Sequence, residues 1–169
     1  MTCGRWGDIT PGHALAHRAF EQGITIAEKI AGADPKPVID DTVPQVVFSF
    51  PEAASVGLTL DQAKAREDVV EPKETAYPML SNARMLMSGE GGSMTVVSGA
   101  FANNPDMQVV LGVHIVSPIA SDLIAEAEQL VGNRVPLADA ARLIHPHPTF
   151  SETLGEALLK ADGRPLHTR

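Results

Sequence analysis

Two apolar stretches separated by a short polar segment constrain the fold of this chain more than any other feature of its sequence. The stretches Met94 to Ala102 and Gln108 to Val116 have the β-branched composition of strands. The segment between them, Asn103 to Asp106, consists of residues that favour tight turns. Together they predict an antiparallel hairpin, and hence a sheet whose consecutive strands pair without long crossovers.

The remaining predicted elements are mostly helices. Apolar residues at three-and-four spacing predict an amphipathic helix from His13 to Ala31, followed by Gly32 as an expected stop signal. The other predicted elements are, in chain order, a buried strand from Gln45 to Phe50, a helix from Thr59 to Arg66 opened by a Thr59–Gln62 capping box, a helix after Pro118 with Ile119, Leu123, Ala127, Leu130 and Val131 on one face, a short helix from Pro136 to Ile144 and a final helix from Ser151. We therefore predict the α+β class, an antiparallel sheet with helices packed on one side, preceded by the amphipathic helix.

A proline-rich, acidic segment divides the chain. Residues 33–44 contain little apolar content and predict an extended linker. Residues 1–32 then form one segment, and residues 45–169 form a single domain of ordinary size.

Composition excludes several classes of protein. The net charge is −8 and no dense Lys/Arg run occurs, which argues against a nucleic-acid partner. No apolar run approaches the ~20 residues that span a bilayer, so we expect no membrane partner and a cytoplasmic location. Cys3 is the single cysteine, so the chain cannot form an internal disulfide.

The stretch most suggestive of chemistry runs from His145 to Glu152, with the sequence HPHPTFSE. A carboxylate that holds one imidazole N–H raises the basicity of the other ring nitrogen, and His147 and Glu152 are spaced to meet in this way. Alternatively, Glu152 belongs to a T-x-x-E box with Thr149 that only stabilises a helix end. The histidines could equally be structural, and zinc binding by His145 and His147 needs a third ligand, so we assign no metal.

The same string resembles the carboxyl-terminal signature of dihydrolipoyl dehydrogenase, a class I pyridine nucleotide-disulphide oxidoreductase. Further segments resemble that family in the same order along the chain. They are Gly7 to Thr10 with Ala14 to Ala19, Phe50 to Gly57, Leu111 to Ile115, and Ser121 to Ala127.

The resemblance implies roles for particular residues. His147 matches the base that takes a proton from a dithiol substrate, and Glu152 matches the carboxylate that orients it; the family completes this site across a homodimer. Asp8 matches a carboxylate that hydrogen-bonds the ribityl chain of FAD, and Ala16 and His17 match backbone near the flavin ring. Residues 1–32 would be a remnant of the flavin-binding domain, and residues 45–169 the dimerisation domain.

Other parts of that family's machinery are not found in this sequence. It contains no G-x-G-x-x-G turn and no cysteine pair, so we expect NAD and the redox disulfide to be held outside it and the isolated chain to be inactive. A complementing flavin- and nicotinamide-binding fragment and the lipoylated proteins of 2-oxoacid dehydrogenase complexes are the expected partners besides a second copy. The alternatives are a non-catalytic dimerising interaction domain and a small metal-binding protein that uses His145 and His147.

Overall fold

The computed structural model describes residues 4–168, and Cys3 lies outside this range. The chain divides between Val43 and Pro44 into two compact units.

The first unit is built around one amphipathic helix. Helix α1 (Ala16–Ile30) lies between two single 3₁₀ turns, Gly7–Ile9 and Asp40–Thr42. The predicted helix is thus confirmed, although it begins at Ala16 rather than His13. Its large apolar side chains are exposed, with 70% of Phe20 and 52% of Ile24 accessible.

The second unit contains a sheet and five helices among its described residues. Its elements in chain order are β1 (Gln45–Val47), β2 (Glu52–Gly57), α2 (Leu60–Ala65), β3 (Val69–Pro78), α3 (Ala83–Ser88), β4 (Ser93–Phe101), β5 (Asn104–Ser117), α4 (Ala120–Gly132), α5 (Leu137–Ala140) and α6 (Glu152–Ala161).

The sheet has five strands in the order β1-β2-β5-β4-β3, and every neighbouring pair is antiparallel. The predicted hairpin is confirmed as β4 and β5. Its turn is tighter than the polar segment suggests, because Phe101 already pairs with Asn104. Only Ala102 and Asn103 therefore remain in the turn.

The main core lies between one face of this sheet and helices α4, α5 and α6. The predicted apolar face of α4 is confirmed, since Leu123, Ala127 and Leu130 are all buried in that core. Val97 belongs to a second, smaller cluster that also includes Ala63 of α2. Successive residues of a strand point to opposite faces of its sheet, so Val97 points away from the face that buries Val96. The predicted α+β class is confirmed.

The predicted capping box at the start of α2 is also confirmed. The Gln62 backbone N–H donates to the Thr59 hydroxyl at 3.2 Å, and the Thr59 N–H donates to the Gln62 side-chain oxygen at 2.8 Å. Each side chain thereby satisfies a backbone donor of the other residue.

Two predicted elements are wrong in part, and three observed elements were not predicted. The predicted buried strand from Gln45 to Phe50 is a three-residue edge strand, and Phe48 and Phe50 beyond it are 80% and 84% exposed. Strands β2 and β3 and helix α3 were not predicted as elements. The predicted helix from Pro136 to Ile144 ends at Ala140, because Arg142 and Leu143 donate to carbonyls only three residues back.

Strands β2 and β5 touch backbone to backbone at one point. Gly57 pairs with Gly112 across the ladder, and Gly57 has a φ of +80°. A Cβ on Gly57 would lie 2.2 Å from the Leu111 carbonyl oxygen, and a Cβ on Gly112 would lie 2.2 Å from that of Leu58. Both positions therefore require glycine.

Candidate functional site

The loop between α5 and α6 carries the candidate acid/base pair. His147 Nδ1 lies 2.9 Å from Glu152 Oε1, so the structure brings the two predicted residues together. The imidazole is 69% exposed, whereas the carboxylate is only 20% exposed. Glu152 is the first residue of α6, and the loop turns so that His147 reaches back to it.

Glu152 also stabilises the loop itself. Its second oxygen, Oε2, accepts the Thr149 backbone N–H at 2.8 Å. The Thr149 hydroxyl does not cap α6: it donates to the Pro146 carbonyl at 2.6 Å and lies 2.9 Å from the Ser151 hydroxyl, and Ser151 is the N-cap residue of the helix. The functional and structural readings of Glu152 are therefore compatible, with one carboxylate oxygen serving each.

The protonation of the pair follows from its geometry. Burial alone would raise the pKa of Glu152, but the Thr149 N–H and the His147 ring outweigh it and the net pKa is lowered. An ionised carboxylate can only accept a hydrogen bond, so His147 Nδ1 must be the donor. In the neutral ring, Nε2 then carries the lone pair and is the basic atom.

A second imidazole–carboxylate pair lies behind the first. His145 Nε2 lies 2.7 Å from Glu126 Oε1 on α4, and the His145 side chain is only 8% exposed. The hydrogen bond to Glu126 raises the pKa of His145, despite the opposing effect of burial. The His145 ring also lies against α6, because a Cβ on Gly155 would come within 2.5 Å of its Nδ1.

The far end of the loop is held by the start of α3. Asn82 is buried, caps α3 by accepting the Met85 N–H, and donates its amide to the Thr149 carbonyl at 3.1 Å. Arg84 lies over the Phe150 ring, 5.4 Å from its centroid. Sequence reasoning missed these contacts; the N-cap preference of asparagine was the one local signal for Asn82.

Tyr77 is a further buried polar residue near these carboxylates. Its hydroxyl has no hydrogen-bond partner among residues 4–168. Burial, together with the negative charges of Glu156 and Glu152, raises the pKa of Tyr77 to about 12. The phenol is therefore neutral at physiological pH and does not serve as a base.

The predicted flavin contacts lie in the first unit. Asp8 is exposed in the turn Gly7–Ile9, where Gly7 has a φ of +73° and donates its N–H to the Gln22 side chain at 2.8 Å. Ala16 and His17 are the first residues of α1 and are exposed. Leu15 precedes them, and its side chain makes no capping hydrogen bond to α1.

Arg18 connects the segments of this unit. It is 5% exposed and donates from Nε to Asp40 at 2.7 Å and from Nη2 to the Pro11 carbonyl at 2.7 Å. Its Nη1 donates to the Thr10 hydroxyl at 3.2 Å. Arg18 thereby holds the segment before α1 to the one after it.

Within residues 4–168, no three or more His, Cys, Asp or Glu side chains are grouped so that they could hold a metal ion. None of the helices in that range combines the length and apolar character needed to cross a bilayer.

The sequence is similar to dihydrolipoyl dehydrogenases of bacteria. The chain is 40% identical to dihydrolipoyl dehydrogenase of Bacillus subtilis over 95% of its length, and 41% identical to that of Cupriavidus necator over 97%. It covers 33% and 34% of those proteins, so it spans about a third of the relatives that it matches.

Solved structures agree on the fold. LpdA from Mycobacterium tuberculosis superposes with a TM-score of 0.81 at 29% identity, over 92% of this chain and 33% of that one. The flavoprotein disulfide reductase RclA from Escherichia coli superposes with a TM-score of 0.75 over 90% of this chain and 34% of that one. At 21% identity, the second likeness concerns the fold alone.

Residues 43–158 match the family described as "Pyridine nucleotide-disulphide oxidoreductase, dimerisation domain". This match covers more than half of the chain, and it contains the whole antiparallel sheet, helices α2 to α5 and most of α6. The chain therefore belongs to the pyridine nucleotide-disulphide oxidoreductase family, of which it carries the dimerisation domain.

Proposed function

We propose that this chain supplies the acid/base pair His147–Glu152 and the dimerisation domain to a flavin-dependent dihydrolipoyl dehydrogenase that oxidises dihydrolipoamide with NAD. The observation that carries the proposal is the 2.9 Å contact between His147 Nδ1 and Glu152 Oε1. This contact supports the proposal because the exposed imidazole then carries its proton on Nδ1 and its lone pair on Nε2, at the surface of a dimerisation domain. In this proposal two copies of the chain pair, and His147 faces groups held across the dimer.

The task of His147 is to accept a proton from the substrate. A thiol with an ordinary pKa of about 8.5 is mostly protonated at neutral pH, and only the thiolate attacks a disulfide. As the S–H bond of the dithiol breaks, its proton passes to His147 Nε2 and the electron pair stays on sulfur. Glu152 holds Nδ1–H and stabilises the imidazolium that results.

The remaining chemistry belongs to groups outside this pair. When bound, the redox disulfide, FAD and NAD of the full enzyme carry the two electrons that leave the dithiol. We assign FAD contacts to Asp8, Ala16 and His17. Their support is that Asp8 is an exposed acceptor and that Ala16 and His17 are exposed at the start of α1. The lipoylated proteins of 2-oxoacid dehydrogenase complexes are the proposed source of substrate.

A complementation assay tests this proposal. The full chain is mixed with the flavin- and nicotinamide-binding segment of a dihydrolipoyl dehydrogenase, and dihydrolipoamide-dependent reduction of NAD is followed. We expect no turnover from either part alone and turnover from the mixture. His147→Gln should lower kcat by at least about 100-fold, the usual contribution of a general base.

The matched control is His167→Gln. His167 follows α6 and is also exposed, at 62%, and its Nδ1 lies 2.8 Å from Glu156 of that helix, so it makes the same type of contact at another position. Activity that survives in His147→Gln, or that falls equally in both variants, contradicts the assignment of His147 as the base.

The alternative is a dimerising interaction domain without catalysis. The observation that favours it is that the family match concerns the dimerisation domain and that the chain spans about a third of its relatives. Light scattering together with the complementation assay separates the two. A dimer that yields no turnover with any flavin-binding segment supports the alternative.

A further inference from the structure

We propose that His145 is a positioning residue, which acts with Glu126 and Gly155 to hold the loop so that His147 Nδ1 faces Glu152. This inference rests on the proposed function, since it assigns a task to a residue that supports the acid/base pair. His145 itself is too buried to meet a substrate.

The first step of the argument is the anchor at the start of the loop. His145 is 8% exposed, and its Nε2 lies 2.7 Å from Glu126 Oε1. Glu126 belongs to α4, which packs on strands β2 and β5. The loop therefore begins at a point tied to the centre of the sheet, two residues before His147.

The second step is the contact between His145 and the helix that carries Glu152. All three atoms nearest to a Cβ built on Gly155 belong to the His145 ring, at 2.5, 2.9 and 3.4 Å. The missing side chain at Gly155 thus lets the ring lie directly against the first turn of α6. His145 therefore contacts both α4 and α6, the helix that begins with Glu152. The loop that carries His147 is thus held against the helix that carries its partner.

The third step is the anchor at the other end. Asn82 is buried and donates its amide to the Thr149 carbonyl at 3.1 Å. The loop is then fixed on both sides of His147, whose own ring is 69% exposed. An exposed side chain gains little orientation from packing, so the backbone beneath it must supply that orientation.

The choice of side chain also indicates a positioning role. Removing the His145 ring from water costs free energy, and its partner Glu126 remains 36% exposed, so the contact contributes little net stability over an apolar side chain at position 145. An imidazole–carboxylate contact is nevertheless directional and defines the position of both residues. The His145–Glu126 contact precedes the exposed His147–Glu152 pair by two residues, and a task of orienting His147 explains why a polar contact is found there.

The test reads the tautomer of His147 directly, by nitrogen NMR of the full chain with labelled histidine at a pH where free imidazoles are neutral. In the wild-type chain we expect the Nδ1–H form. In His145→Leu the ratio of Nε2–H to Nδ1–H should rise about tenfold, the effect of losing one hydrogen bond of ordinary strength. His145→Gln, which can still donate to Glu126, should restore most of the wild-type ratio.

Glu126→Ala breaks the same contact from the other side and should reproduce the effect. His167→Leu is the matched control, since it removes an imidazole–carboxylate contact of 2.8 Å on the same helix and should leave the His147 ratio unchanged. An unchanged ratio in both folded variants, or loss of the fold in both, overturns the inference. Failure of the complementation assay would instead count against the proposed function, because the tautomer is measured without it.

Discussion

Replacement of Gly155 by alanine tests how tightly α6 and the histidine loop are packed. The new Cβ would lie 2.5 Å from His145 Nδ1 and 2.9 Å from its Cε1, well inside van der Waals contact. The ring cannot yield freely, because it is buried and hydrogen-bonded to Glu126 at 2.7 Å. Either the hydrogen bond breaks or α6 moves away from the loop.

Three contributions set the magnitude for Gly155→Ala. Overpacking costs about 1–3 kcal/mol. Loss of a hydrogen bond to a charged group costs roughly 1.5–3 kcal/mol if the ring is displaced instead. Alanine gains about 0.5–1 kcal/mol over glycine inside a helix. We therefore expect a net loss of about 1–2 kcal/mol from either response alone.

Urea unfolding followed by circular dichroism measures this loss, and a double-mutant cycle assigns its cause. In a His145→Ala background no neighbour closer than 3.4 Å remains at Gly155, so the same substitution should stabilise the chain by about 0.5–1 kcal/mol. Gly132→Ala is the control, because its Cβ would meet only the Glu128 carboxylate, at 3.1 Å. An equal effect of Gly155→Ala in both backgrounds refutes the packing described here.

Three further measurements follow from the structure. The hydrogen bond to Glu126 raises the pKa of His145, so the stability that this contact contributes is full at acid pH and is lost as the pH rises through the raised pKa. The difference in unfolding free energy between wild type and His145→Ala should therefore shrink from pH 5.5 to 8.5, and a difference that widens contradicts this. Asp40→Ala removes a partner of the buried Arg18 and should cost the first unit about 1–3 kcal/mol, measured by tryptophan fluorescence during urea unfolding; an unchanged midpoint contradicts the role of the pair. Thr59→Ala removes a capping hydroxyl and should cost about 1 kcal/mol in the same titration followed by circular dichroism, whereas Thr59→Ser should cost little; equal losses in the two variants argue against the cap.

Strong periodicity accounts for the elements that were predicted correctly. Strands β4 and β5 are long and apolar, and α4 has a continuous apolar face, so burial and local pattern agree. Strand β3 lacks such a pattern. It lies at an edge of the sheet and contains Pro72, and its pairing with β4 shifts between Val70 and Lys73. This shift interrupts the alternation of apolar and polar residues by which a strand is predicted.

Exposure explains the error at the other edge of the sheet. The run from Gln45 to Phe50 has a buried composition, but β1 pairs with β2 alone and ends at Val47. Phe48 and Phe50 lie beyond the strand and are exposed. Apolar composition in a short run therefore does not distinguish a central strand from an edge strand that continues as an uncovered apolar loop.

The candidate site was predictable only where its contacts are local. His147 and Glu152 are five residues apart, and their meeting could be expected from spacing. Glu126 is 19 residues from its histidine, and Asn82 is 67 residues from Thr149. Such contacts depend on which elements the sheet brings together, and no pattern within a single window of sequence carries that information.

The Gly57–Gly112 crossing has a consequence for how the sheet can vary. Where two main chains come this close, sliding one strand by a single residue would drive a side chain into the opposing carbonyl. The glycine pair therefore fixes the register of β2 against β5. Because Gly57 ends β2, a single-residue insertion within β2 shifts the residues before Gly57 by one position against β5 and turns their side chains to the other face. We expect such insertions to lower the yield of soluble folded protein.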